Sequence, residues 1–289
     1  MMKVLITGAQ GQVGRALVLS APSQFEVRGV SRQQLDVTDV GAVNAYVAAY
    51  RPDFIINAAA YTAVDKAESE PDHAELGNVT APRHLAEAAK RINARLIHIS
   101  TDFVFDGQSN QPYSIDHATA PLGVYGRTKL AGEQAVTDVL GTQALIVRTA
   151  WVYDATGKNF LRTMLRLMHE RGAVNVVADQ VGTPTSSESL AAVLWQCASH
   201  PQLSGVYHWT DAGVASWYDF AVAIAEEAVS KGVLKVMPTI TPIATHQYPT
   251  PAQRPAFSVL DKSATYQALN LAPVHWRVPL RKVMSQVVL

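Results

Sequence analysis

Hydrophobic and polar positions follow two different rhythms in the first half of the chain. Short apolar runs of strand length cover residues 3–7, 26–30, 54–57, 96–100 and 145–149. Between these runs, apolar residues recur with a helical period over residues 13–19, 40–50, 81–93 and 125–139. Strands that alternate with helices predict an α/β fold with a doubly wound parallel sheet, in which ligands bind beyond the carboxyl ends of the strands.

The pattern is less regular after Val152. Helical periods cover residues 160–171 and 217–231, and a strand-like run covers residues 205–210. Five prolines lie between Pro238 and Pro255, and this segment is predicted to be an ordered but irregular loop. The second half is therefore expected to form a smaller α+β part.

Composition and charge narrow the class of protein. With 48% hydrophobic and 17% charged residues, the chain can bury a core, which excludes a disordered or fibrous protein. The 24 basic residues balance the 24 acidic ones, so charge favours neither nucleic acid nor a membrane as partner. Cys197 is the single cysteine, which excludes an intrachain disulfide. Because neither a signal peptide nor an apolar run of about 18 residues is found, we expect a cytoplasmic protein.

A glycine-rich turn follows the first strand and opens the first helix. The glycines are spaced Gly-x-x-Gly-x-x-Gly, and glycines at such a turn allow the backbone to approach a pyrophosphate at the helix N-terminus. Three glycines can also mark only a sharp turn, so the position after the first strand carries the interpretation. The turn predicts a Rossmann-type dinucleotide site with these contacts: Gly8, Gln10, Gly11, Gln12, Val13 and Gly14.

The end of the second strand indicates which dinucleotide binds. A carboxylate there holds a ribose 2′-hydroxyl, whereas an arginine accommodates a 2′-phosphate. Ser31 and Arg32 occupy this position and favour NADP(H), the alternative being that Arg32 is a solvated surface residue. Asp36, followed by Val37, could accept from the adenine amine, and Asp39 could cap the next helix.

Tyr125 and Lys129 have the spacing of a proton-transfer pair. On a helix, residues four apart share a face, so the ammonium group lies beside the phenol and is expected to lower its pKa. Alternatively, Tyr125 and Lys129 could be an exposed pair on a helix, without a role in proton transfer. Ser100 and Thr101 end an upstream strand and bring hydroxyls to the same edge of the sheet, whereas His98 alternates within that strand and is interpreted as a core residue.

Together these motifs resemble the extended short-chain dehydrogenase/reductases that act on nucleotide sugars. Within them, the chain is most similar to the dTDP-4-dehydrorhamnose reductase family, and the likeness extends over nearly the whole sequence. The segments that carry it are residues 57–68, 100–107, 121–129, 148–153, 159–160, 179–180 and 248–255.

The resemblance implies a reaction and its residues. It implies NADPH-dependent reduction of the C4 ketone of dTDP-4-dehydro-β-L-rhamnose to dTDP-L-rhamnose, for surface polysaccharide, with Thr101, Tyr125 and Lys129 as the catalytic triad. Ala58, Ala59 and Ala60 would line the cofactor together with Tyr125 and Lys129. Substrate contacts are expected from a further set: Asp102, Phe103, Val104, Trp151, Asn159, Gln180 and Arg254. Of these, Trp151 would otherwise be a core residue, and Arg254 a surface one.

The resemblance also suggests how the chain is divided and assembled. We expect an NADP(H)-binding Rossmann domain over residues 1–150 and a mainly substrate-binding lobe over 151–289, with the strand and helix near 205–231 able to return to the first. Some family members carry a magnesium site at a dimer interface, with a carboxylate directly after the third glycine. Here that position is Arg15, so we expect no metal, and an oligomer of another kind stays open.

Other functions compete with this one. The chain could reduce or epimerise a different 4-keto nucleotide sugar, and NADH could serve beside NADPH. A noncatalytic NADP-binding regulatory subunit is the rival from another class, but such a protein has no need for Thr101, Tyr125 and Lys129 together.

Overall fold

The computed structural model describes residues 1–288 of the chain. The strands in chain order are β1 (Met2–Thr7), β2 (Phe25–Val30), β3 (Phe54–Asn57), β4 (Arg95–Thr101), β5 (Ala144–Thr149), β6 (Val152–Tyr153), β7 (Ala173–Val177), β8 (Val181–Gly182), β9 (Thr185–Ser186), β10 (Gly205–His208), β11 (Ala215–Ser216) and β12 (Thr239–Ile243). The helices are α1 (Gln12–Leu19), α2 (Val40–Tyr50), α3 (Val64–Ala67), α4 (Pro71–Glu75), α5 (Ala81–Arg91), α6 (Val124–Leu140), α7 (Phe160–Arg171), α8 (Ser187–Ser199), α9 (Trp217–Ser230), α10 (Ser263–Leu269) and α11 (Arg277–Met284). A π-helical turn covers Leu76–Thr80, and 3-10 turns cover Asp102–Val104, Gly141–Gln143 and Thr245–Gln247.

The central sheet is parallel and has the strand order β10-β5-β4-β3-β1-β2. After β1 the chain moves to β2 on one side, and then returns to β3 on the other side. The carboxyl ends of β1 and β3 therefore flank a crevice at the switch point, which is where sheets of this kind bind ligands. The predicted α/β doubly wound fold is confirmed.

The two faces of the sheet are covered by different helices. Successive strand residues point to opposite faces, so Val4 and Ile6 pack in a cluster with residues of α1 and α8, whereas Leu5 packs with residues of α2, α5 and α6. On the first face, the Trp195 indole of α8 stacks on Phe25 of β2 and donates to the Leu17 carbonyl at 3.1 Å.

Another hydrophobic cluster lies outside the sheet and joins α7, α9 and α11 with β7. Here the prediction for residues 238–255 was wrong in part, because β12 pairs in parallel with β7. β12 tolerates Pro242 because, in a two-stranded sheet, a residue without an N–H can face the open edge.

Segments from the second half of the chain complete the central sheet. β10 extends the sheet beside β5, while α8 covers one face of it and α9 packs in the other cluster. The division into functional lobes at residue 150 stays a prediction. Among residues 1–288, no helix combines the length and the apolar character that crossing a bilayer requires.

Candidate active site

The glycine-rich turn is tightly folded against the end of β3. Gly8 has φ +69°, and a Cβ atom there would lie 2.7 Å from the backbone of Ala58 and Ala59. A Cβ atom at Gly14 would lie 2.2 Å from the Gly8 carbonyl oxygen, so Gly14 lets α1 pack against the turn. The first turn of α1 is opened by Gly11, which has no side chain to cap it. The unpaired backbone N–H groups at this end of α1 are therefore suited to bind an anion.

Beside this turn lies a cleft of about 540 Å³. The cleft brings together ten of the predicted cofactor residues: Gly8, Gln10, Gly11, Ser31, Arg32, Asp36, Val37, Ala58, Ala59 and Ala60. Other predicted residues do not line it: Gln12, Val13, Gly14, Tyr125 and Lys129. Further lining residues were not among the predicted cofactor residues, although Tyr61 lies in the segment 57–68 that carries the resemblance: Leu35, Thr38, Tyr61, His73, Leu76 and Gly77.

The polar residues that line the cleft come directly after β2 in the chain. Arg32 is exposed, and its Nε lies 3.5 Å from Asp36 Oδ2. The Asp36 carboxylate accepts from the hydroxyl and the backbone N–H of Thr38, and these bonds lower the pKa of Asp36. Asp39 caps α2 by accepting from Gly41 N and Ala42 N, so its predicted capping role is confirmed.

Tyr125 lies in the first turn of α6, next to the end of β4. Its ring contacts Phe103 edge-on, with the ring centroids 5.5 Å apart, and its hydroxyl lies near the Thr101 hydroxyl. Burial raises the pKa of the Tyr125 phenol to about 12, the Thr101 hydroxyl opposes this, and the Asp102 carboxylate raises it further. The expected lowering of the Tyr125 pKa by Lys129 was therefore wrong for this structure: burial dominates, and the Lys129 amino group is bound to the Ile99 carbonyl instead.

Thr101 and Asp102 support the phenol from the strand side. Thr101 donates its hydroxyl proton to Asp102 Oδ1 at 3.0 Å and accepts from Phe103 N at 3.2 Å. Burial raises the pKa of Asp102 to about 6, while the Ser258 and Thr101 hydroxyls oppose this rise.

Lys129 lies one turn further along α6 and is only 2% exposed. Its Nζ atom donates to the Ile99 carbonyl at 2.7 Å and lies 3.4 Å from His98 Nε2. Burial lowers the pKa of Lys129 to about 8, while the Glu133 carboxylate acts in the opposite direction. The Lys129 amino group is therefore fixed inside the protein and exchanges its proton closer to neutral pH than an exposed lysine does.

A second cavity, of about 800 Å³, opens between α7, β7 and the segment that follows β12. Gln180 and Arg254 line it, as the sequence interpretation expected for substrate residues. Phe160, Trp217 and Tyr248 supply aromatic surface on its walls, a wall type suited to a nucleobase or sugar ring. Trp217 and Tyr248 were not among the predicted substrate residues.

Three other predicted substrate residues are engaged within the protein. The indole of Trp151 stacks on Trp217 at 3.5 Å, and Trp151 has φ +48°. The Asn159 amide caps α7 and donates to Gln12 Oε1 at 2.8 Å. Val104 was predicted to contact the substrate, and its side chain is fully buried in a small apolar cluster.

Arg254 is held by an acidic residue from the other side of the site. Asp65 in α3 accepts from Arg254 Nη1 at 3.0 Å and from Nη2 at 2.8 Å. Thr250 also accepts from Nη1. Within residues 1–288 no acceptor is found for Arg254 Nε, so the Nε/Nη2 edge of the guanidinium group is available to a ligand in the cavity.

Arg15 lies directly after the third glycine, at the position where the resemblance implies a carboxylate in relatives with a metal site. Its guanidinium group lies 3.6 Å from Asp154 and contacts Thr156. Glu188, in the first turn of α8, forms an ion pair with Lys282. Among residues 1–288, no three His, Cys, Asp or Glu side chains are grouped as a metal would require.

Comparison with known proteins gives a consistent result. The family described as RmlD substrate binding domain matches residues 2–289. A dTDP-4-dehydrorhamnose reductase of Aggregatibacter actinomycetemcomitans is 42% identical over 99% of both chains. A probable dTDP-4,6-dihydroxy-2-methyloxan-3-one 4-ketoreductase of Streptomyces antibioticus is 42% identical over 99% of this chain and 96% of that protein. The crystal structure of a dTDP-4-dehydrorhamnose reductase of Bacillus anthracis in complex with NADP has a TM-score of 0.92, with 34% identity over 99% of this chain and 100% of that one.

Proposed function

Because the chain belongs to the RmlD substrate binding domain family, together with the dTDP-4-dehydrorhamnose reductases, we propose that it reduces the C4 ketone of dTDP-4-dehydro-β-L-rhamnose with NADPH. The product is dTDP-L-rhamnose, a precursor for surface polysaccharide. The observation that supports this proposal is that Tyr125 lies beside Thr101 at the carboxyl end of β4, with Lys129 one turn further along α6, on the same edge of the sheet as a dinucleotide-sized cleft.

The residues present fit a bound NADP(H). The Gly8 turn leaves no room for a Cβ atom, and the uncapped N-terminus of α1 offers N–H groups to a pyrophosphate. Ser31 and Arg32 line the cleft directly after β2, where an arginine favours a 2′-phosphate, and the small alanine side chains after β3 also line it. When bound, the reduced nicotinamide supplies the hydride for C4.

The proton for the reaction comes from Tyr125. As C4 accepts the hydride, its oxygen gains negative charge, and the Tyr125 hydroxyl gives it a proton to form the alcohol. A phenol with a pKa of about 12 is fully protonated at neutral pH, and an alkoxide is a far stronger base, so the transfer is downhill. Thr101 shares the same oxygen by hydrogen bonding, and Lys129 stabilises the phenolate that remains.

The first experiment is to follow NADPH oxidation with two nucleotide sugars. One is dTDP-4-dehydro-β-L-rhamnose, generated enzymatically, and the other is a 4-dehydro-D-sugar as control. Oxidation with the L-sugar alone supports the proposal. If neither sugar is reduced although NADPH binds, this substrate assignment is wrong.

A second candidate is reduction of a different C4 ketone on a dTDP-linked sugar. The Streptomyces relative, which matches this chain as closely as the Aggregatibacter enzyme does, is described as such a 4-ketoreductase. Competition between the two sugars in one reaction separates the candidates, since the ratio of their kcat/KM values states the preference directly.

Replacement of Arg32 by alanine tests the preference for NADPH. Arg32 is exposed beside the cleft, and its guanidinium group is the one that could pair with a 2′-phosphate. We expect Arg32→Ala to raise the KM for NADPH by about 10-fold or more, since a charge-assisted bond contributes about 1.5–3 kcal/mol. The KM for NADH, which has no 2′-phosphate, should change little. An equal increase for both cofactors would contradict this role.

Replacement of Asp65 by asparagine tests the substrate role of Arg254. Asp65 fixes the Nη1/Nη2 edge of Arg254, so that the Nε/Nη2 edge can bind the diphosphate of the nucleotide sugar. We expect Asp65→Asn to raise the KM for the sugar by about 10-fold, because the neutral amide holds the guanidinium group less firmly. The KM for NADPH should stay constant.

The matched control is Asp72→Asn, which changes an exposed aspartate on the neighbouring α4 and should alter neither constant. Tighter binding of dTDP to Asp65→Asn would show that Asp65 competes with the diphosphate for Arg254, and would overturn the positioning role.

A further inference from the structure

A chain of buried polar groups runs behind Lys129 through three neighbouring strands. The Thr7 hydroxyl donates to Asn57 Oδ1 at 2.7 Å, Asn57 Nδ2 lies 3.0 Å from His98 Nδ1, and His98 Nε2 lies 3.4 Å from Lys129 Nζ. None of these four side chains is more than 2% exposed. Because water does not reach them, each polar atom has to find its partner within the chain itself.

The backbone determines where the protons lie in this chain. Ala59 N–H donates to Asn57 Oδ1 at 3.2 Å, which identifies that atom as the oxygen and leaves the amide nitrogen facing His98. Since an amide nitrogen only donates, His98 Nδ1 has to accept. Burial holds the pKa of His98 well below its usual range, so the ring is neutral and carries its single proton on Nε2.

The Nε2 proton of His98 is directed at Lys129. An ammonium group has only donors and would oppose this N–H, whereas an uncharged amine accepts it through its lone pair. The amine still has a proton for the Ile99 carbonyl. All contacts of the network are therefore satisfied only when Lys129 is uncharged.

We propose that His98 is a positioning residue that holds the Lys129 amino group in place and favours its uncharged form, and so sets the pH at which Lys129 gains its proton. The importance of this for the reaction rests on the proposed function, in which Lys129 stabilises the Tyr125 phenolate once it carries its proton. The same network is connected to the cofactor cleft at two places. Thr7 directly precedes Gly8, which lines the cleft, and Asn57 accepts from the backbone of Ala59, which also lines it.

Other charged groups near Lys129 act in both directions. Glu133, on the next turn of α6, favours the ammonium form, but its carboxylate is paired with the Arg148 guanidinium of β5 at 2.7 and 2.9 Å. On the catalytic side, Tyr125 lies one turn before Lys129, and Asp102 lies at the end of β4. The His98 N–H acts in the same direction as burial, against the ammonium form.

The test is a direct titration of Lys129 in the full-length protein without substrate. The ¹³Cε resonances of labelled lysine are followed against pH, and the Lys129→Met spectrum assigns the signal. In His98→Asn, the shorter amide stays near Asn57 and no longer reaches Lys129. We expect Lys129 in this variant to ionise about one pH unit higher than in the unchanged protein.

Two further variants make the outcome decisive. In His98→Gln, the longer amide can turn its oxygen toward Lys129, so the same upward shift is expected without any added charge, and this variant serves if His98→Asn fails to fold. His208→Asn removes another buried histidine, in β10, and should leave the ionisation of Lys129 unchanged.

An unchanged Lys129 titration in the folded His98 variants would overturn the proposal and leave His98 a core residue. The titration needs no sugar, so this result would not touch the proposed reductase activity. Conversely, a failure to reduce the proposed sugar would leave the titration result standing.

Discussion

Tyr125→Phe should lower the turnover of ketone reduction by about 10²–10⁴-fold, the usual contribution of a positioned general acid. The variant loses only the hydroxyl group, because a phenylalanine ring can keep the edge-on contact with Phe103. NADPH should bind as before, since Tyr125 is not among the residues that line the dinucleotide cleft. Turnover is measured in the steady state, and cofactor affinity is measured separately by calorimetry.

The matched control for this experiment is Tyr46→Phe. Tyr46 is a partly buried tyrosine of α2 that packs against the cluster around Leu5 and is not part of the proposed site, so its variant should turn over normally. If Tyr125→Phe also turned over within a few-fold of the unchanged protein, the proton would have to come from another group, and Thr101 would be the next to replace.

Gly8→Ala should abolish tight binding of NADPH and destabilise the fold. The added methyl group meets two penalties: a left-handed conformation that costs about 1–2 kcal/mol for a residue with a Cβ, and a collision with the backbone after β3. Overpacking of this kind costs about 1–3 kcal/mol. The collision also moves Ala58 and Ala59, which line the cleft, so we expect the Kd for NADPH to rise more than 10-fold.

Gly172→Ala separates the two penalties. Gly172 ends α7 with φ +67°, close to the φ of +69° at Gly8, but no described atom lies within 4 Å of a Cβ placed there. It should therefore lose only the conformational part of the free energy of unfolding and keep its affinity for NADPH. If Gly8→Ala and Gly172→Ala lost the same free energy of unfolding and the same affinity for NADPH, the collision with the backbone after β3 would have no effect on either quantity.

The fold of the first half could be predicted because its signals are local. Each strand is a short apolar run, and each helix repeats its apolar residues within a few turns, so neither needs a distant partner to be recognised. β12 was missed for the opposite reason. Its segment was predicted to be a loop because prolines recur along it, one of them Pro242 within β12, and only the pairing with β7, more than sixty residues earlier, makes it a strand.

In the candidate site, too, local features could be predicted and features that depend on distant residues could not. Spacing identified the glycine turn and the Tyr125–Lys129 pair, because both depend on residues a few positions apart. Spacing could not show that burial raises the Tyr125 pKa, since desolvation depends on what packs around the phenol. Nor could it show that Arg254 is held by Asp65, which lies 189 positions earlier in the chain.

The return of α8 and β10 to the central sheet has a consequence for how the protein is made. The face of β1 that carries Val4 and Ile6 is closed by Leu190, Leu194 and Trp195, so it stays open on the ribosome until α8 has been synthesised. At about 5–20 residues per second, α8 follows β5 by several seconds. Throughout that interval the nascent chain exposes one apolar side of its sheet, and it should be a good client for chaperones that shield such surfaces until synthesis is complete.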